Sequence, residues 1–138
     1  MIEIVPHLSI GPVRFRERID LFLEKFDDFD YHLDDDNTIW DEHYFLNRDL
    51  VVYTENDLVI CAGIFCDCYL EGRNLFGMNI GEFFATFNIS EKERSVDERL
   101  WVSDTEQQSV YEIQSLGLEL WVNDHQNIVG IMASPVDE

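Results

Sequence analysis

The stretch "FRERIDLFLEKF" (Phe15–Phe26) lies over "FGMNIGEFFATF" (Phe76–Phe87) without a gap. Phe15/Phe76, Ile19/Ile80, Phe22/Phe83 and Phe26/Phe87 are identical pairs, and Leu23 matches Phe84 in character. The apolar positions fall at i, i+4, i+7, i+8 and i+11, which is one face of an amphipathic helix. Any two such helices share that spacing. Three of these pairs, however, are phenylalanine, and the same offset carries Ile39-Trp40 onto Leu100-Trp101. The overlay predicts two copies of one unit, each opening on a helix.

A strand pattern follows each helix. Leu50-Val51-Val52-Tyr53-Thr54 aligns with Leu118-Glu119-Leu120-Trp121-Val122. Polar turns come next, Glu55–Asp57 and Asn123–Asn127, rich in residues that tolerate left-handed backbone angles. Second apolar strands then run Leu58–Phe65 and Ile128–Ala133, and "LEGRN" (Leu70–Asn74) joins the halves. Half a sheet with one helix buries little alone. The expected fold is α+β in a single domain, 1–138. Two tandem helix-plus-meander repeats, about 8–70 and 71–135 and each of about three strands, would form one antiparallel sheet with both helices on one face. Alternation puts Leu50, Val52, Thr54, Leu118, Leu120 and Val122 under the helices. Tyr53, Glu119 and Trp121 then stand on the uncovered face, where large aromatics either pack across strands or anchor a partner.

Two motifs carry a resemblance: "LSIGPVRFRERIDLF" (Leu8–Phe22), and "NLFGMNIGEFFATF" (Asn74–Phe87) followed by "LGLELWVNDHQNIVGIMA" (Leu116–Ala133). The pattern resembles the duplicated helix-plus-sheet fold of β-lactamase inhibitory proteins. It is also similar to immunity proteins of bacterial toxin systems, including contact-dependent growth inhibition. The resemblance implies a protein without catalytic residues that blocks a partner enzyme by covering its active site or an adjacent surface.

The totals agree with a packed but strongly anionic chain. It has 138 residues, 46% of them hydrophobic and 13% aromatic, and a formal net charge of −20 from 29 acids against 9 basic residues. Enough apolar surface is present for a core. The charge opposes direct contact with nucleic acid or an anionic membrane and favours a basic partner. No apolar run approaches a membrane span, and the N-terminal "RFRERID" lacks a signal-peptide core, which predicts a cytoplasmic protein. Three cysteines, Cys61, Cys66 and Cys68, read as free thiols rather than a disulfide framework.

The charge is concentrated in one place. "FDDFDYHLDDDNTIWDE" (Phe26–Glu42) holds eight carboxylates and no Lys or Arg. Its counterpart "FNISEKERSVDERLWVS" (Phe87–Ser103) holds four acids and three basic residues. The unit can therefore be built without the charge, and clustered carboxylates repel one another. Asp27, Asp28, Asp30, Tyr31, Asp34, Asp35, Asp36, Asp41 and Glu42 are candidate partner-binding residues, beside Tyr53, Glu119 and Trp121; a solvated loop that keeps the chain soluble is the plainer alternative. Phe26 and Trp40, matched by Phe87 and Trp101, read as scaffold.

Other chemistry is weakly signalled. The acidic loop lacks the glycine and the twelfth-position glutamate of a calcium loop, and Cys66-Asp67-Cys68 has no second pair for zinc. No phosphate-binding, dinucleotide or nucleophile-elbow motif occurs. Neither metal, cofactor nor enzymatic activity is expected. The expected partner is the C-terminal domain of a cognate toxin, basic and of nuclease type. The alternatives are an acidic mimic of nucleic acid acting on a host or phage protein, and a small ligand-binding or adaptor module.

Overall fold

The computed structural model describes residues 2–26, 30–33, 40–101 and 107–135. The chain opens with three short strands, β1 (Ile4–Val5), β2 (Ser9–Ile10) and β3 (Val13–Arg14), paired in that order. Two 3-10 turns follow, Ile19–Leu21 and Leu23–Lys25. Then come β4 (Asp30–Leu33), β5 (Asp41–Phe45), β6 (Leu50–Glu55) and β7 (Leu58–Ile64). A small hairpin, β8 (Tyr69–Leu70) with β9 (Arg73–Asn74), leads to the helix α1 (Ile80–Thr86). The chain continues through a 3-10 turn (Glu91–Glu93) into β10 (Arg94–Trp101), β11 (Gln107–Ile113), β12 (Leu118–Val122) and β13 (Ile128–Ala133).

The large sheet has eight antiparallel strands in the order β10-β11-β12-β13-β7-β6-β5-β4. Each half of the chain supplies a run of four strands rather than the expected three, and the runs meet where β13 pairs β7. At that seam Ile64 faces Ile131 and Gly63 faces Met132. Architecture is α+β, dominated by the sheet.

Burial follows the alternation of the strands. Leu50, Val52, Thr54, Leu118, Leu120 and Val122 are at most 1% exposed. All but Thr54 join one core cluster with Ile10, Phe15, Ile19, Phe22, Leu70, Leu75, Ile80 and Phe83 from the covering layer. Removing such side chains from water is the main favourable term in folding.

The expected helix over Phe15–Phe26 is absent, and the reason is local. In the second half Asn79 caps α1, its Oδ1 accepting from the Gly81 and Glu82 amides at 2.9 and 3.4 Å. The equivalent Arg18 makes no side-chain cap; its Nε pairs with Asp20 Oδ1 at 3.0 Å. Phe22, at φ −113°, then separates the two turns. Phe15, Ile19 and Phe22 are buried nonetheless. Their spacing therefore reported burial correctly and helical continuity wrongly. "LEGRN" is a further correction: it is the end of β8, the turn and β9 of a hairpin, not a bare connector.

Main-chain bonds run in parallel through the two halves. Arg16 and Ile19 donate to the Val59 and Asp57 carbonyls, and Val59 donates back to Glu17. Gly77 and Ile80 donate to Ile128 and Gln126, and Ile128 donates back to Met78. Both hairpins also carry a register shift at one place, between Tyr53 and Thr54 and between Trp121 and Val122. Such bulges bend a strand and raise its local twist.

Candidate functional site: the uncovered sheet face

The residues that alternate away from the core define the second face of the sheet. Pairing aligns Glu42 with Tyr53, Tyr53 with Cys61, Gly63 with Met132, Met132 with Glu119 and Gly130 with Trp121. None of these belongs to the core cluster. Two glycines in mid-strand make room for a ring, the usual meaning of glycine in that position. A Cβ at Gly130 would lie 3.0 Å from the Phe65 ring, and one at Gly63 would lie 3.4 Å from it. Phe65 thus lies flat across the seam, 44% exposed.

Beside it is a hollow of about 530 Å³, lined among others by Tyr53, Phe65, Glu119, Trp121 and Met132. That is within the range of about 300–1,000 Å³ usual for ligand pockets. Trp40 continues the aromatic surface, its ring 6.2 Å from that of Tyr53. At 41% exposure Trp40 is not scaffold, which corrects the reading from the repeat. Phe26 does pack inward, 4.5 Å from Phe45.

The electrostatics of this face are anionic. Burial, and then the neighbouring Glu112, push the Glu119 carboxyl up. Burial, then Glu42, pushes the Tyr53 phenol up. The Cys61 thiol is driven to about 11 by burial and by the field of Glu119. Tyr44 donates to Glu42 Oε2, which with burial holds its phenol at about 12. Arg48 lies over the Tyr44 ring, 4.8 Å from its centre. With Cys68 at about 12 and Cys66 also raised by burial, the thiols stay protonated at neutral pH and are poor nucleophiles.

The candidate residues divide into four groups. Tyr53, Glu119 and Trp121 come together in the hollow, and Glu42 is the cross-strand partner of Tyr53. Asp41 pairs with the buried Thr54 and so sits on the other parity. Asp30 and Tyr31 occupy register positions opposite Tyr44 and His43, with β4 at the edge of the sheet. Asp27, Asp28, Asp34, Asp35 and Asp36 lie outside the described residues. Phe65, Met132 and the two glycines were not singled out from sequence. The mid-strand glycines were the available signal.

His43 gives this region a pH dependence. It is 4% exposed, with Nε2 2.9 Å from Thr54 Oγ1. Burial lowers its pKa from 6.5, against the raising fields of Asp41 and Asp57. The unfolded chain therefore takes up the proton first as pH falls. His43's contribution to stability is complete above about pH 6.5 and declines towards the folded-state value. In thermal melts, the wild type should lose more stability than His43→Asn on going from neutral to mildly acidic pH. An NMR titration midpoint for His43 at or above 6.5 would contradict this.

No helix among the described residues is long and apolar enough to cross a membrane, and no group of three or more His, Cys, Asp and Glu among them could hold a metal ion. Comparison with protein-family models, with curated proteins and with solved structures finds no match to this chain.

Proposed function

We propose that this chain is an immunity protein: a cytoplasmic inhibitor that binds a basic toxin domain, of nuclease type, and neutralises it by steric and electrostatic blocking. One observation carries the reading. A sheet face that no layer of the described residues covers combines an aromatic hollow with carboxylates (Glu42, Glu112, Glu119), on a chain of net charge −20. Exposed aromatic anchors inside an anionic rim suit a cationic protein surface, because desolvated rings supply affinity and opposite charge speeds encounter. A nuclease presents such a surface where it binds phosphates. The eight carboxylates of Asp27–Glu42 lie before, within and after β4 in the chain and add to that negative charge.

The chain is proposed to be a tandem duplication as well. The parallel main-chain bonds and the matched register shifts support this. So does the likeness of the β2–β3 and β8–β9 hairpins, in which Ser9 pairs Arg14 as Tyr69 pairs Asn74, one residue short of the offset that aligns Phe15 with Phe76. On that likeness the second repeat begins before Tyr69.

The polypeptide encoded in the reading frame adjoining this gene is the first partner to test. A tight complex that suppresses its nuclease activity is expected. Reversal of Asp34, Asp35 and Asp36 to Lys should weaken the complex about a hundredfold at low salt and flatten its salt dependence. Unchanged affinity and salt dependence in that variant would remove the electrostatic mechanism. Absence of any inhibited enzyme would remove the function.

A further inference from the structure

We infer that the hollow between Tyr53, Phe65 and Trp121 is a receptor for one arginine side chain of the partner, with Glu119 as its counter-charge. This rests on the proposed inhibitory role and names the contact that would anchor it. Glu119 is half-buried in the hollow. Among the described residues no cation pairs with it. The nearest acid on the neighbouring strand, Glu112, is its direct cross-strand partner, so the site carries like charges side by side. That arrangement costs free energy in the unbound protein and is relieved by a cation.

The choice of cation follows from the walls. Three of the lining side chains are rings, Tyr53, Phe65 and Trp121, beside Met132, Val129, Gly130 and Gln108. A guanidinium is planar, weakly hydrated and permanently charged; it stacks on rings and meets a carboxylate in a two-point contact. A lysine ammonium would have to shed a tightly held water shell for no planar match. An apolar side chain would fill the space but leave Glu119 buried without compensation. An anion would meet the Glu119 carboxylate directly, with Glu112 opposite it on the neighbouring strand.

The test uses the full-length protein and Nα-acetyl-arginine amide as probe, followed by NMR. Saturable shifts are expected at the Trp121 indole N–H and the Gly63 and Gly130 amides. The citrulline analogue, equal in shape but neutral, should produce none. Glu119→Gln keeps the side-chain shape and should weaken binding about tenfold, while raising the melting temperature of the free protein. Trp121→Ala should abolish the shifts. The inference is overturned if the lysine amide binds as well as the arginine amide, if citrulline binds equally, or if Glu119→Gln leaves binding unchanged. It is also overturned if no shifts occur at all. None of these results would touch the inhibition assay with the acidic-loop variant, so the two readings fail separately.

Discussion

Phe83→Ala is expected to destabilise the protein by about 3–5 kcal/mol, the range for emptying a buried aromatic site. Phe83 is fully buried. Its ring lies 4.9 Å from that of Phe87 and 6.0 Å from that of Phe84, so truncation removes aromatic contacts as well as area. The site can collapse only partly. α1 is held at its start by the bond from the Ile80 amide to Gln126 and at Phe84 by Arg94, whose guanidinium lies 3.8 Å above that ring. Against a domain stability of about 5–15 kcal/mol, such a loss is a large fraction of the whole. A urea titration would show the midpoint falling with little change in slope. Leu21→Ala is the control: Leu21 is 60% exposed and its truncation should be nearly neutral. Equal losses in both variants would mean that the helix layer is not what stabilises the sheet.

Gly117→Ala is expected to cost more than about 2 kcal/mol, combining a left-handed backbone with a clash. Gly117 sits at φ 65° and closes the 3-10 turn before β12. A Cβ there would lie 2.5 Å from the Ser134 carbonyl oxygen and 2.8 Å from His7 Nδ1. The obstacle is backbone, and it is pinned: the Ser134 amide donates to the Gly117 carbonyl at 2.9 Å. Gly72→Ala separates the two contributions. Gly72 has φ 81° but nothing within 4 Å of its Cβ position, so alanine there meets only the conformational penalty, about 1 kcal/mol. If the two substitutions cost the same, the clash at Gly117 is relieved by movement. The consequence reaches the candidate site, because β12 leaves this turn carrying Glu119 and Trp121. A Gly117 variant should lose the arginine-amide response in proportion to its loss of ordered β12.

The strands were the most legible part of the chain. Ile128–Ala133 agrees with its expected bounds, and the parity of Leu50, Val52, Leu118 and Leu120 was right, because a side chain's face depends only on alternation along its own strand. The helix before the first sheet strands was the least legible. Its apolar spacing is real, but Arg18 in place of Asn79 withholds the cap, and spacing is blind to capping. Trp40 was misplaced for a similar reason: a match to Trp101 in sequence says nothing of what covers the ring.

By itself the sequence determined the surplus of negative charge, the alternation that separates a core face from an open face, and the presence of Tyr53, Glu119 and Trp121 on the latter. These follow from composition and from local geometry, which every residue carries along with it. Only the tertiary structure decided that β7 and β13 meet at the seam. That pairing brings Tyr53 and Trp121, far apart in the chain, to one hollow, lays Phe65 across Gly63 and Gly130, and leaves Glu119 among rings beside a second carboxylate. Strand order is a property of long-range pairing, and neither periodicity nor propensity within a segment encodes it.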